Sequence, residues 1–291
     1  MKMNSKRLAT LVLFFVFSMA FAQKNFQGKA YYQTKTTLDM NGFGGRQVSE
    51  DQKKRIAARM KSMLEKTYIL TFNQIESIYK EEEKLEAPGT GSGRWGSMMS
   101  SFTAGNQYKN VKEQTLLQDQ EFFGKQFLIK DSLPQLKWIM TGETKQIGKY
   151  TCFKATTTKT NTDFDFNRFR RPPDRVGSKE KDSANTKDLS TKEVKPNLVK
   201  VEVWYTPQIP VNQGPGEYWG LPGLILEVNE GRTTILCSKI VLNPEEKDDI
   251  KKPSKGKEVS KETYHAIVKK KTEEMRENFS RGSGRPGGRR R

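Results

Sequence analysis

Turn rhythm limits this chain more than any other feature. Short runs rich in Tyr, Thr, Val, Ile and Phe recur along most of its length, and turn residues end each one. Hairpin spacing leaves no room for the long crossovers that parallel strands need. The pattern therefore predicts a mainly β fold built on an antiparallel sheet. Strands are expected at Phe26 to Thr37, Tyr68 to Phe72, Ile75 to Tyr79, Tyr108 to Leu117, Glu121 to Lys130, Leu136 to Thr141, Gln146 to Lys159, Leu198 to Thr206, Gly223 to Asn229 and Arg232 to Leu242. Asn73, Phe123-Gly124-Lys125, Ile147-Gly148 and Asn229-Glu230-Gly231 supply turns.

Helical spacing occurs only twice. Ser49 followed by Gln52 forms a capping box, and Ile56, Met60, Met63 and Leu64 follow on one face, so Glu50 to Lys66 reads as a helix. Tyr264, Ile267, Val268 and Met275 mark a second helix over Val259 to Phe279. A curved antiparallel sheet, or half-barrel, wrapping one early and one C-terminal helix uses all these pieces. Residues 87–105 are dense in Gly and Ser, and 170–196 combine prolines and charge with few aliphatics. Neither holds enough apolar surface to offset its own ordering, so both read as flexible insertions in a single domain spanning 23–279. The Gly/Arg tail 280–291 reads as disordered.

The first 22 residues carry an export signal. Lys2, Lys6 and Arg7 precede an apolar run from Leu8 to Phe21, and Ala20-Phe21-Ala22 offers small residues where a signal peptidase reads, with cleavage expected after Ala22. The run falls short of the ~20 residues that span a bilayer. No later segment is apolar enough to cross as a helix. The expected location is the periplasm or the periphery of the outer membrane. Formal net charge is +18. In an exported protein that balance points to anionic headgroups, phosphates or an acidic protein as partner, and nucleic acid is not expected. Cys152 and Cys237 both sit in strand-like runs. After export, either a disulfide between them or two buried thiols fits.

Several chemistries are excluded or disfavoured. The single histidine, His265, lies among lysines on the second helix, so Ser–His and Cys–His nucleophile pairs have no base to share. One His and two distant Cys cannot make a zinc set. Asp163-x-Asp165-x-Asn167 opens like a calcium loop, but Arg168 stands where the sharp turn needs Gly. Gly89 to Arg94 lacks the Gly-Lys-Ser/Thr of a phosphate loop. No metal and no cofactor is expected.

The most distinctive stretch runs from Trp204-Tyr205-Thr206 through Pro207, Pro210, Pro215 and Pro222 to Val228. Four prolines lower the entropy of the loop and hold it in one shape. Trp204, Tyr205, Tyr218 and Trp219 place aromatic surface there, as a binding patch or as a plug for one end of the β core. Gly220-Leu221-Pro222-Gly223-Leu224-Ile225 within it spells the hexapeptide of the GLPGLI family of Bacteroidetes envelope proteins. With Gly148-Lys149-Tyr150, Cys152, Ile209-Pro210, Gly214-Pro215 and Pro253-x-Lys255-Gly256-Lys257, most of the exported chain resembles that family in order. The resemblance implies export and a β-rich body, and no activity. The resulting expectation is a non-enzymatic periplasmic or outer-membrane-associated protein that binds or assists an envelope component, such as an outer-membrane protein or anionic lipid. Two other readings stay open: a small-ligand or lipid carrier with an apolar cavity, and a hydrolase using Glu217 and Glu227 as an acid/base pair.

Overall fold

A computed structural model of the protein describes residues 26–37, 49–82, 105–160 and 198–282. The predicted signal, the 170–196 insertion, nearly all of 87–105 and the tail after Gly282 lie outside the described residues, as do the Gly89–Arg94 and Asp163–Asn167 motifs. In chain order the elements are β1 (Gly28–Thr36), α1 (Glu50–Leu64), β2 (Glu65–Phe72), β3 (Glu76–Glu81), β4 (Gln107–Asn110), β5 (Thr115–Phe122), β6 (Lys125–Ser132), β7 (Ile139–Ile147), β8 (Tyr150–Thr160), β9 (Leu198–Thr206), β10 (Leu224–Glu230), β11 (Thr233–Leu242), β12 (Lys257–Val259) and α2 (Lys261–Gly282). The strands form one open curved sheet in the order β12-β6-β5-β4-β3-β2-β1-β11-β10-β9-β8-β7. Every pairing is antiparallel except β12 on β6. The expected mainly β half-barrel with an early and a C-terminal helix is therefore the observed fold.

Local chemistry explains where the elements begin and end. The Ser49 capping box forms as read: the Gln52 amide donates to Ser49 Oγ at 3.3 Å and Gln52 Oε1 accepts from the Ser49 amide at 3.2 Å. Asn73 Oδ1 accepts from the Ile75 and Glu76 amides at 2.7 and 2.6 Å, turning β2 into β3. Phe123 and Gly124 both take positive φ, the conformation that a tight hairpin between β5 and β6 demands.

Some boundaries differ from expectation. Tyr108 to Leu117 is two strands, because Asn110 Oδ1 captures the Lys112 and Glu113 amides and folds Val111–Gln114 into a turn. No Gly or Pro advertises it. Glu65 and Lys66 open β2 instead of closing α1, and Val259 ends β12 instead of opening α2. Three residues of parallel strand are too short to leave a periodic signal.

The two faces of β3–β6 carry different cover. Ser77 and Lys109 are directly opposed in register and face the β9–β10 loop; Phe127 and Ile129 pack with Tyr264 and Val268 of α2. On the other face Tyr108, Leu117 and Leu128 pack with Ile250, from the irregular segment that follows β11.

Candidate functional site

The loop between β9 and β10, residues 207–223, is built into the core. Ile209 and Val211 join the cluster containing Tyr32, Leu70 and Phe72, while Tyr218 and Leu221 join a second one with Val203, Tyr205 and Val228. Backbone bonds stitch it to β10: the Leu224 amide donates to Ile209 O and the Ile225 amide to Gln213 O. Its far side reaches β3 and β4. Ser77 Oγ donates to Gln213 Oε1 at 2.9 Å, and the buried Lys109 ammonium donates to the carbonyls of Gly214, Gly216 and Tyr218 at 2.9, 3.1 and 2.8 Å. An ammonium has three N–H donors, and each finds a carbonyl here. Burial pulls the Lys109 pKa down to about 7, against the opposing pull of Glu217.

The hexapeptide has a geometric reason for each glycine. Gly220 sits at φ +89°, where side chains are strained. Gly223 lies so close to the end of β9 that an added Cβ would stand 2.2 Å from Thr206 O. Leu221, Leu224 and Ile225 are buried and Pro222 is exposed.

The four aromatic candidates are brought together around this loop, but as parts of its packing. Tyr205 and Tyr218 are buried. Trp219 Nε1 donates to Pro134 O at 2.6 Å, and Trp138 Nε1 donates back to Trp219 O at 2.8 Å. Trp204 is half-buried beneath the Lys145 ammonium, 4.4 Å from its ring centroid. Two of the four are thus buried in the loop's packing, and the two tryptophans are half-buried beside it.

Glu217 and Glu227 belong to separate ion-pair clusters. Glu217 pairs with Lys159 and Lys261 at 2.8 and 3.3 Å, and Lys159 also holds Glu230 at 2.7 Å. Glu227 pairs with Lys145 at 2.6 Å and accepts from Asn229. Burial pushes the Glu217 pKa up, but Lys159 and Lys261 outweigh it and hold the carboxyl below the usual range. A general acid needs the opposite shift. Glu217 is instead a tether: through Lys261 it fastens the start of α2 to the loop.

Cys152 and Cys237 are unbridged, buried thiols in the same core cluster. Burial pushes their pKa values up to about 11 and about 12. In protein prepared under reducing conditions, iodoacetamide at pH 8 is expected to modify neither thiol in the native state and both after unfolding. Native alkylation, read by intact mass, would contradict the burial.

The lysines form a site that the sequence reading did not locate. Between β3 and the segment after β11 runs a cleft of 290 Å³, lined by Ile78, Lys80, Asn106, Asp119 and residues 251–255, which include Lys251, Lys252 and Lys255. Both walls are anchored. The post-β11 wall is held by a Lys29–Asp248 ion pair at 2.7 Å, by Gln27 Nε2 donating to Asp248 O, and by Ile250 in its apolar cluster. It ends at Gly256, at φ +108°, where a Cβ would meet the Phe127 backbone at 2.8 Å. The one lining carboxylate, Asp119, spends both oxygens on Asn106, at 2.7 and 3.1 Å. Lys251 makes a loose pair with Asp249 at 3.7 Å. Among the described residues that line the cleft, four lysines thus accompany one already satisfied carboxylate. Among the described residues no group of His, Cys, Asp and Glu could hold a metal. No helix there is long and apolar enough to cross a membrane.

Fold and cleft together define a class: a mainly β protein with a loop-filled core and a basic surface cleft. A family model described as "Protein of unknown function (Porph_ging)" matches residues 138–227. That span holds Gly148 to Cys152, Trp204 and the hexapeptide, while the cleft segment lies beyond it. No curated protein matches the chain. Two solved structures of PNGF-II are similar at a TM-score of 0.45, with 16% and 14% identity over 84% of this chain and 33% of theirs. The chain thus spans about a third of the PNGF-II length, and at that score the similarity carries no functional argument.

Proposed function

We propose that this is an exported binding or accessory protein of the periplasm or outer-membrane periphery, acting on an anionic envelope component. The observation that supports it is the anchored cleft with four lysines and a single engaged carboxylate. Ammonium groups gathered along one cleft raise the local positive potential and attract anions. The carboxylate-hydrolase reading loses its pair, because Glu217 and Glu227 are each neutralised in a different cluster. The carrier reading finds the two main core clusters filled by the loop's own side chains. The binding site moves from the aromatic loop to the opposite face of β3–β6.

The test combines export and binding. The exported protein is expected to begin at Gln23 by intact mass and to co-sediment with envelope membranes at low salt. Replacing Lys80, Lys251, Lys252 and Lys255 with Gln together should cut co-sedimentation at least ~10-fold, and raised salt should do the same to the wild type by screening. Equal co-sedimentation of the variant sinks the cleft as the site. A mass that retains residues 1–22 sinks the processing.

A further inference from the structure

Resting on that reading, we infer that the lysine cleft is a phosphate site, taking a phosphorylated headgroup about the size of a sugar phosphate.

Three observations lead to the ligand class. The cations that line the cleft among the described residues are all lysines. Lysine acts as a point charge and is a common partner of phosphate. Four lysines around one space can each meet a different oxygen of a tetrahedral group, which a planar carboxylate cannot offer.

The charge also fits. Four ammonium groups and the Asp119 carboxylate leave a surplus of three positive charges. A phosphomonoester carries ~−1.5 to −2 at neutral pH, so one phosphate, or a diphosphate, comes close to neutralising the site. Asn106 donates to both oxygens of Asp119 and holds that carboxylate in place.

Size and shape set the scale. At 290 Å³ the cleft lies at the low end of the ~300–1,000 Å³ range for small-ligand sites. That volume suits a headgroup. Ile78, itself buried, closes the floor of the cleft, and Ser254 supplies a hydroxyl beside the lysines. Lys252 stands 5.9 Å from the centroid of the Tyr108 ring, over the same face of the sheet as the cleft. The walls are set by the Lys29–Asp248 pair and by Gly256 against β6, so the lysine stems start from fixed backbone.

The chemistry is shared by two sources, a free sugar phosphate and a phosphorylated lipid headgroup at a membrane surface. The experiment uses the mature full chain and its Lys80→Gln/Lys252→Gln variant, with melting temperature as the check that both are folded. Calorimetry with pyrophosphate and with glucose 1-phosphate, set against citrate, reads the ligand class. Flotation with phosphatidylcholine vesicles, with and without phosphatidic acid, reads the source. The expected result is phosphate binding at least tenfold tighter than citrate, weakened at least tenfold in the variant. Flotation that depends on phosphatidic acid and on both lysines, without binding of the free phosphates, supports the site with a lipid source. Free-phosphate binding without flotation supports it with a soluble source. Citrate binding as tight as phosphate, and lost in the variant, leaves an anion cleft standing and overturns the phosphate assignment. No binding of any anion or vesicle overturns both.

Discussion

Gly223→Ala is expected to lower the unfolding free energy by about 3 kcal/mol or more, and Gly223→Val to abolish soluble folded protein. The added methyl would stand 2.2 Å from Thr206 O, 2.5 Å from Thr206 C and 2.8 Å from Pro207 N. All three are backbone atoms at the end of β9, so no side chain can swing away to make room. Relief requires prising apart β9 and β10, and with them Leu224 and Ile225, both fully buried. Gly148→Ala provides the calibration. That residue, unlike Gly223, has positive φ, +59°, but an added Cβ there meets nothing within 4 Å. It should cost only the ~1–2 kcal/mol of left-handed backbone strain. Urea denaturation of the two variants against the parent decides the matter. Equal losses would mean that the contact at Gly223 relaxes freely, and that the hexapeptide glycine is not there for close approach.

Lys109→Met should destabilise by about 3–5 kcal/mol at pH 7, as expected when one partner of a buried polar set is removed. Methionine fills most of the space but takes away the donors that the carbonyls of Gly214, Gly216 and Tyr218 accept from at 2.8–3.1 Å. The pH dependence distinguishes lost hydrogen bonds from lost packing. Burial sets the folded-state pKa of Lys109 at about 7, below the ordinary 10.5 of the unfolded chain. Between those values the unfolded state binds the extra proton, so this residue adds stability as pH rises above about 7 and withdraws it as pH falls toward 7. The stability gap between parent and Lys109→Met should therefore widen from pH 7 to pH 9, where tyrosine ionisation does not yet interfere. A gap that is flat over that range means that Lys109 stays protonated throughout.

Legibility differed sharply between fold and site. The strand runs, the Ser49 capping box and the turns at Asn73, Gly148 and Gly231 were all local chemistry, and the structure has them at those residues. The break at 111–114 was missed because Asn110 makes it with its side chain, in a stretch with no Gly or Pro. The aromatic loop stood out for its composition, yet aromatic content alone does not say which side of a ring is covered. Here Trp138 and Pro134, more than 80 residues earlier, cover Trp219. The cleft left no trace of its own. Lys80 is separated from Lys251, Lys252 and Lys255 by most of the chain, and in a sequence with 52 Lys and Arg nothing sets those four apart.

By itself, then, the sequence determined what depends on neighbours along the chain: hairpins from turn residues, helix starts from caps, a sheet from strand rhythm, and four prolines stiffening the loop before β10. The tertiary structure decided what depends on distant partners. Curvature of the sheet brought Lys109 of β4 beneath the carbonyls of a loop over 100 residues later and made that loop core. It also laid the post-β11 segment across the other face of β3–β6, opening the lysine cleft. The reason is physical. Turn and cap energies are settled within a few residues, whereas burial and charge gathering are properties of a surface that exists only once strands far apart in sequence have paired.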